Sequence, residues 1–376
     1  MSEWSGTGTA MTSAAAPRAS VGRPFASLLG TIRPAFLGAA LAVAVLCAFP
    51  PVAMADESGV SFWLPGLFGS LAAVPQQPGW SDASIYYHTS VSADGSVSLA
   101  REFQIGNIPV TATAHASANI NGTGDVGLFV PSYVFATPVF GGQAAANLMA
   151  IYGNSGAALA GTVTGTVGGV PFGPRFDNLS NSTTGFGDLY PMLVLRWHSG
   201  VDNYMIYVDG DVPVGDYNSP SLANLGIGHG AIDSGAGYTY FDPQSGHELS
   251  AVLGFTYNLV DPSTRYQNGV DMHVDWAASQ FLTKQVQIGI VGYVYDEVSC
   301  DGGSGDHVGC FESRVLGVGP QFGFLFPLGT MQGYLNIKGY GEFDAADRPF
   351  GWNTWLTLQI SPAAPGAATP RPLVAK

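Results

Sequence analysis

Charged side chains are scarce in this 376-residue sequence, where Asp, Glu, Lys and Arg make up only 11% of the residues. A soluble domain of ordinary composition carries about 25% charged residues, so the composition does not indicate an ordinary soluble enzyme. Basic residues are scarcer than acidic ones, 13 against 27, and the net charge is −14. Because so acidic a surface repels phosphate backbones, nucleic acid is not an expected partner.

Long apolar runs are also missing after the N-terminal region. Residues 126–174 contain no charged side chain, but Pro131, Pro138, Pro171 and many Gly, Ser, Thr and Asn residues interrupt them. A helix that crosses a bilayer needs about 20 consecutive apolar residues, so this stretch cannot be a helical span. Disorder is excluded too, because 46% of the residues are hydrophobic. An all-β protein remains.

Catalytic and cofactor motifs are a third absence. The sequence has no G-x-S-x-G elbow, and Gly122-Thr-Gly-Asp-Val-Gly127 matches a dinucleotide fingerprint in its letters only. That fingerprint needs a following helix, whereas Leu128-Phe-Val indicates a strand, so we interpret the stretch as a turn. No cofactor is predicted. An enzyme is the least favoured class, since a serine hydrolase would need Ser, His and a carboxylate to meet at one rim.

Residues 1–55 are predicted to be a signal peptide. Three arginines precede the apolar residues 35–49, and Ala53-Met-Ala55 provides a small-x-small cleavage site before Asp56. An uncleaved anchor is the first alternative, although the apolar run falls short of about 20 residues. A lipoprotein signal at Cys47 is the second, although a bulky leucine precedes that cysteine.

The exported chain would keep two cysteines, Cys300 and Cys310, on either side of a Gly/Asp-rich stretch. In an oxidising compartment they are expected to form a disulfide. A zinc site that also uses His307 is the alternative, but it offers too few well-spaced ligands, and no metal site is predicted.

Alternation with a period of two is the main structural signal. In residues 270–277, Val, Met, Val and Trp alternate with Asp271, His273 and Asp275. Membrane-spanning strands alternate in this way between lipid and lumen. Polar neighbours on one face lie about 7 Å apart, so the three could form a weak cation site or a proton-sensitive constriction, or simply line a wet lumen. A soluble two-sheet sandwich also alternates, but with its apolar face inward.

The same alternation occurs in residues 189–198, 285–295, 335–343 and 352–360. From these segments and their neighbours, the residues predicted to face the lumen are Asp188, Arg196, His198, Asp209, Asp271, His273, Asp275, Lys338, Tyr340 and Glu342. Charges buried in a barrel must pair. We therefore expect inter-strand ion pairs of Arg196 with Asp188 and Asp209, and of Lys338 with Glu342.

Clusters of turn-forming residues separate the strands at residues 121–124, 209–211, 261–263 and 300–310. At roughly 22 to 24 residues per strand and connection, the chain is long enough for about 12 strands, with a range of 10 to 14. The predicted fold is a transmembrane, antiparallel, up-and-down β-barrel over residues 81–361. Residues 56–80 would be a periplasmic or plugging segment, and residues 362–376 a disordered tail.

Several longer stretches of the sequence resemble a known family. They are residues 184–188, 212–217, 264–277, 289–295, 318–323 and 342–351. Over roughly residues 80–361 the sequence resembles the phenol meta-degradation proteins, also called MetA-pathway or SphA-like proteins. The resemblance implies an outer-membrane barrel, often labelled a transporter and linked by name to aromatic compounds. It implies no catalytic residues. Residues 296–300, where the family commonly has a Gln-rich stretch, and the long tail depart from the pattern.

We therefore expect a barrel in the outer membrane of a Gram-negative bacterium, inserted by the barrel-assembly machinery and surrounded by lipid. The expected function is porin-like, passive uptake of small hydrophobic or aromatic solutes. The alternative is a closed structural or surface-interaction barrel that transports nothing.

Overall fold

The structure is a computed structural model, and it describes residues 61–105, 108–167, 170–306, 310 and 312–363. The predicted signal peptide, His307 and nearly all of the predicted tail lie outside the described residues. Those described belong to one compact unit, Phe49–Lys376. The described residues form no helix that is long and apolar enough to cross a membrane.

Twelve strands form one closed antiparallel barrel, in which each strand pairs with its neighbours along the chain and β1 pairs with β12. The strands are β1 Gly79–Ile105, β2 Ile108–Val134, β3 Gln143–Val167, β4 Val170–Ser199, β5 Asp202–Gly210, β6 Ala231–Phe241, β7 His247–Asn258, β8 Val270–Phe281, β9 Val286–Glu297, β10 Arg314–Leu328, β11 Met331–Ala346 and β12 Phe350–Pro362. The predicted up-and-down barrel of about 12 strands is confirmed.

The polarity of the barrel is the reverse of that in a soluble protein. Along β7 every second residue is buried, and the buried face carries Glu248, Ser250 and Thr256. The exposed face of the same strand carries Leu253 and Phe255, which are 43% and 45% exposed. A sandwich would bury the apolar face, so the soluble alternative is excluded. An apolar outside and a polar inside suit a barrel in lipid.

Aromatic side chains mark two levels on the outer face of β1–β4. We call the end where β1 begins the lower end and the opposite end the upper end. Trp80 and Tyr133 pack together near the lower end, with ring centroids 5.1 Å apart. Tyr152 and Phe186 pack 4.9 Å apart at the higher level. Girdles of this kind flank the lipid-facing band of membrane barrels.

The first four strands are much longer than the others, 25 to 30 residues against 9 to 16. A membrane-spanning strand needs about 9 to 11 residues. Pairing of β1 with β12 ends at Ser92 and Phe350, whereas its pairing with β2 continues to Ile105 and Ile108. The upper parts of β1–β4 therefore continue beyond the barrel as a four-stranded sheet.

The turn predicted at residues 121–124 is wrong, because these residues lie in the middle of β2. Their backbone pairs with β1 on one side and with β3 on the other. Two complete ladders of hydrogen bonds override the turn preference of Asn and Gly. Gly122 and Gly124 are one strand period apart and both line the lumen.

Candidate functional site: a plugged lumen

Residues 61–78, which precede β1, run inside the barrel, and we call them the plug. Phe62 and Trp63 are at least 96% buried among side chains of the barrel wall. Two tight turns fold the segment, with the amide of Leu67 donating to the carbonyl of Leu64 and that of Val74 to Leu71. The peptide groups left over by this irregular backbone need partners, and the barrel supplies them.

Asp275 and Lys338 bind the backbone of the same two residues of the plug, Gly66 and Phe68. The carboxylate oxygens of Asp275 accept hydrogen bonds from the amides of Gly66 and Phe68, at 2.9 and 3.0 Å. The ammonium of Lys338 donates to the carbonyls of the same two residues. Gly66 has a φ of +92°, and a Cβ there would lie 3.0 Å from the ring of Tyr340. Only glycine suits this position.

A second group of hydrogen bonds from the barrel holds the plug at residues 70–73. Glu248 accepts from the amide of Leu71 at 3.0 Å and from the hydroxyl of Ser70 at 2.8 Å. Gln321 donates to the same hydroxyl at 2.6 Å, and the amide of Ala73 donates to Thr239 at 3.1 Å. We call the inner faces of β6, β7, β8, β10 and β11, which carry these groups, the anchor wall.

The predicted ion pairs of Arg196 and Lys338 do not form. Across the described part of the chain, neither cation lies within 4.0 Å of a carboxylate oxygen. Arg196 instead donates to the carbonyl of Ala72 at 3.2 Å, and Lys338 donates to the two carbonyls of the plug. The plug occupies the middle of the lumen, so its carbonyls reach both cations before the opposing carboxylates do.

An aromatic stack completes the packing of the plug. The indole of Trp63 lies on the imidazole of His273, with centroids 3.7 Å apart and planes 14° from parallel. Nε2 of His273 is 2.9 Å from an oxygen of Asp233, and neither side chain is exposed. The hydroxyl of Thr256 donates to the same oxygen at 2.7 Å. The hydrogen-bonded pair of Asp233 on β6 and His273 on β8 is thus the surface on which the plug's largest side chain, Trp63, packs.

The opposite side of the lumen, formed by the inner faces of β1–β3 and β12, is called the cavity wall, because two cavities remain there. The upper cavity has a volume of about 170 Å³ and is bounded by Val91, Val126 and Ile151, with Leu64 from the plug. The lower cavity has a volume of about 450 Å³ and is bounded by Val130, Met149 and Thr357, with much of the plug. The wall facing both cavities is uncharged on β1–β3 and β12.

Four side chains separate the two cavities, and we call them the constriction: Tyr87, Leu128, Tyr190 and Trp355. All are at least 91% buried. The rings of Tyr87 and Trp355 lie 4.5 Å apart, and Tyr190 packs on Phe62 of the plug at 5.5 Å. On β2, Leu128 lies between Val126 of the upper cavity and Val130 of the lower one. The barrier is therefore one apolar layer thick.

Five of the residues that were predicted to face the lumen lie against the plug. They are Arg196, His273, Asp275, Lys338 and Tyr340. Asp209 lines the lower cavity, and Glu342 lines the upper one. Asp271 is buried and accepts from Asn258 at 2.8 Å. Asp188 is buried and accepts from the amides of Gly215 and Ile227 in the loop that follows β5. His198 is exposed at the lower rim and contacts Asn203 at 2.7 Å.

The sequence analysis missed Asp233, Glu248 and Trp63 as functional residues. The alternation in residues 352–360 places Trp355 on the lumen side, but it does not single this residue out. Glu248 begins a strictly alternating segment, residues 247–258, and that pattern would have placed it in the lumen. Trp63 belongs to an apolar cluster in a segment without periodicity, so its sequence gives no indication of what it contacts.

Cys300 and Cys310 form a disulfide in the loop between β9 and β10, with Cα atoms 4.6 Å apart.

Buried acidic side chains outnumber buried basic ones. Among the described residues, nine carboxylate side chains, two of them in the loops that follow β7 and β9, are buried against two of Lys or Arg. In the loop that follows β5, burial and the charges of Asp188 and Asp209 raise the pKa of Asp211 to about 8, so this carboxyl is protonated at neutral pH. The carboxylates that stay ionised favour cations over anions in this interior.

A closed 12-stranded barrel with an apolar outer face and a polar interior defines the class of outer-membrane β-barrels. The chain belongs to the family described as "Putative MetA-pathway of phenol degradation", whose model matches residues 106–358. This match confirms the resemblance seen in the sequence, and family and fold together indicate the outer membrane.

Among solved structures, the fold is similar to the COG4313 outer membrane channel from Pseudomonas putida F1. The TM-score is 0.54 at 14% identity, over 77% of this chain and 96% of that one. The transport unit of the autotransporter AIDA-I from Escherichia coli matches with a TM-score of 0.30 at 10% identity, over 81% and 95% of the two chains. CdiB from Acinetobacter baumannii gives 0.28 at 9% identity, over 75% and 60%. No curated protein matches the sequence.

Proposed function

We propose that the barrel is a passive channel for small, largely hydrophobic or aromatic solutes. The observation that carries the proposal is the pair of cavities on the cavity wall, which only the constriction separates. An apolar layer passes a neutral ring at little cost, whereas an ion would have to shed its hydration shell there. The channel described for the similar Pseudomonas structure and the family's link to phenol degradation support this function.

The acidic lumen supports a preference for neutral solutes over anionic ones. Anions that enter meet a surplus of carboxylates on the anchor wall and an apolar layer on the cavity wall. The apolar layer has no donor for a carboxylate that leaves water, and Lys338 of the anchor wall already donates to two carbonyls of the plug. Neutral solutes meet neither barrier.

A closed barrel without transport is the second candidate. The observation that favours it is the number of polar contacts that fix the plug, from Asp275, Lys338, Glu248, Arg196 and Thr239. In that case the constriction would be ordinary core packing, and removing one of its side chains would leave a closed lumen.

Replacement of a constriction residue distinguishes the two. We expect Trp355→Ala, in refolded protein of residues 56–376 in liposomes, to raise the swelling rate with a neutral aromatic solute several-fold. Ion conductance in planar bilayers should stay low because the plug remains. The matched control is Trp352→Ala on the same strand, whose indole faces outward and is 48% exposed. If no aromatic solute permeates the intact protein, Trp355→Ala or a deletion of residues 61–78, the closed barrel is the correct function.

The route to the membrane is proposed on the sequence pattern. Residues 1–55 would be removed on export, and the barrel-assembly machinery would insert the mature chain. Mass spectrometry of the protein from an outer-membrane fraction tests the cleavage, and an N-terminus other than Asp56 would contradict it.

A further inference from the structure

Arg196 is a buried cation without a counter-ion. The residue is only 8% exposed, yet no carboxylate oxygen of the described residues lies within 4.0 Å of its guanidinium group. Its Nε donates to the carbonyl of Ala72. The two terminal nitrogens have no hydrogen-bond partner in the described part of the chain, and they border the open space of the lower cavity. Buried donors need partners, and charged donors need them most.

The charges around the lower cavity also favour an anion. The charged side chains that line this cavity are Arg196, Lys338 and Asp209. Two cations therefore face one carboxylate here, whereas acidic side chains outnumber basic ones among the buried residues as a whole. Because Lys338 already donates to two carbonyls of the plug, the free donors are those of Arg196. A planar guanidinium group whose terminal nitrogens are both free binds a carboxylate through two parallel hydrogen bonds.

An apolar surface continues from Arg196 toward the constriction. Met192 lies between Arg196 and Tyr190 on β4, and Met149 and Val130 line the same cavity from β3 and β2. Six residues separate Arg196 from Tyr190 along the strand, which is about 20 Å at roughly 3.3 Å per residue. Methionine side chains are flexible and adapt to the shape of a ligand. This surface therefore suits a flexible alkyl chain.

The lower cavity reaches the lower end of the barrel. Gln77, Gln332 and Pro362, which lie next to the lower ends of β1, β11 and β12, line it. A ligand that enters from this end meets Arg196 before it meets the constriction. Such a ligand does not have to cross the apolar layer, so the cavity can hold an anion that the constriction does not pass.

We propose that the lower cavity is a binding site for a monocarboxylate with an alkyl chain. The carboxylate accepts two hydrogen bonds from the terminal nitrogens of Arg196, and the chain lies against Met192 and Met149. This inference goes beyond the proposed channel. It concerns a ligand that enters from the lower end and is held there, and it requires no passage through the constriction.

Binding is measured by carbon-13 NMR on the folded protein in maltoside micelles, with hexanoate labelled at its carboxyl carbon as the probe. Empty micelles give the background from partition into detergent. Labelled hexan-1-ol has the chain without the charge, and labelled acetate has the charge without the chain. We expect hexanoate to bind at least tenfold more tightly than either, because neither offers both the carboxylate and the apolar chain.

Three variants alter the charge at the site. Arg196→Gln removes the cation and should weaken hexanoate binding at least tenfold, while the affinity for hexan-1-ol changes less than twofold. Arg196→Lys keeps the charge but loses the paired donors, so its affinity should fall between these two proteins. Asp209→Asn removes the carboxylate that lines the cavity and should strengthen hexanoate binding at least twofold.

Thr239→Val is the matched control for an indirect effect through the plug. It removes another hydrogen bond to the plug, the one from the amide of Ala73, but Thr239 lies outside the lower cavity. Hexanoate affinity should change less than twofold. The unfolding transition of each variant verifies that it is folded, and Asp209→Asn tests the site with Arg196 in place.

The inference is overturned if the native protein does not bind hexanoate, or if hexan-1-ol or acetate binds as tightly. It is also overturned if Arg196→Gln weakens hexanoate and hexan-1-ol equally, if Asp209→Asn weakens hexanoate, or if Thr239→Val weakens it as much as Arg196→Gln does. Hexanoate binding without flux of a neutral solute would contradict the channel and leave this site intact, whereas flux without hexanoate binding would contradict the site alone.

Discussion

The two walls of the lumen differ in chemistry. The anchor wall presents Asp275, Glu248 and Lys338, and each of them ends on the backbone of the plug. The cavity wall presents uncharged side chains such as Val126 and Thr357, and it leaves two cavities unfilled. Most polar contacts of the plug come from the anchor wall, whereas on the cavity wall Gln143 of β3 bonds Gln76 through both atoms of its amide group, at 2.7 and 2.6 Å. Two cavities remain beside the plug on that wall. This difference between the walls is the structural basis of the proposed preference for neutral solutes over ions.

The largest effect is expected where the anchor wall is broken. Asp275→Ala removes the acceptor of two amides of the plug, those of Gly66 and Phe68. Charge-assisted hydrogen bonds contribute about 1.5 to 3 kcal/mol each, so the plug should dissociate from the anchor wall. Single-channel conductance should rise at least tenfold. Asp82→Ala is the control, because Asp82 is exposed on β1 and bonds only Ser84 among the contacts resolved for it. An unchanged conductance with Asp275→Ala would show that the other anchors suffice.

The next largest effect is expected on stability, where His273 packs against Trp63 of the plug. His273→Ala removes a ring stacked on Trp63 and takes a hydrogen-bond partner from the buried Asp233. Removing one partner of a buried polar group costs about 1 to 3 kcal/mol, and the cavity left by the ring adds to it, so we expect a loss of at least that size in the free energy of unfolding. Urea titration of the protein in lipid measures it. His198→Ala should change little, because that ring is exposed at the rim. Equal losses in the two variants would refute the special role of the stack.

The anchor wall could be predicted in part from the sequence. Asp271, His273 and Asp275 share one face in a period of two, and the structure places all three inside the barrel. The period fixes a face because successive side chains of a strand point to opposite sides. The period does not identify the residue that each of these side chains contacts. The bond from Gly66 to Asp275 joins residues 209 positions apart in the sequence, and no local pattern indicates such a contact.

The cavity wall was harder to predict, and for a related reason. Residues 121–124 have the composition of a turn, yet they lie within β2. Turn preference is a local quantity, whereas pairing with β1 and β3 is set by the whole barrel. The extra length of β1–β4 escaped prediction in the same way, because Gly, Ser, Ala and Thr alternate too weakly to reveal where these strands end.

The smallest expected effect compares one glycine from each wall. At Gly254 on the anchor wall, a Cβ would lie 2.1 Å from the hydroxyl of Tyr207 and 2.5 Å from the ring of His273. Gly254→Ala must displace both, and overpacking of this kind costs about 1 to 3 kcal/mol. At Gly124 on the cavity wall, the nearest atom is a methyl of Thr89 at 3.1 Å. A small shift of Thr89 suffices, and alanine regains about 0.5 to 1 kcal/mol over glycine in a strand. Unfolding in urea should show a clear loss for Gly254→Ala and almost none for Gly124→Ala. If the two losses were equal, the walls would be packed alike, and the path along the cavity wall would have no structural basis.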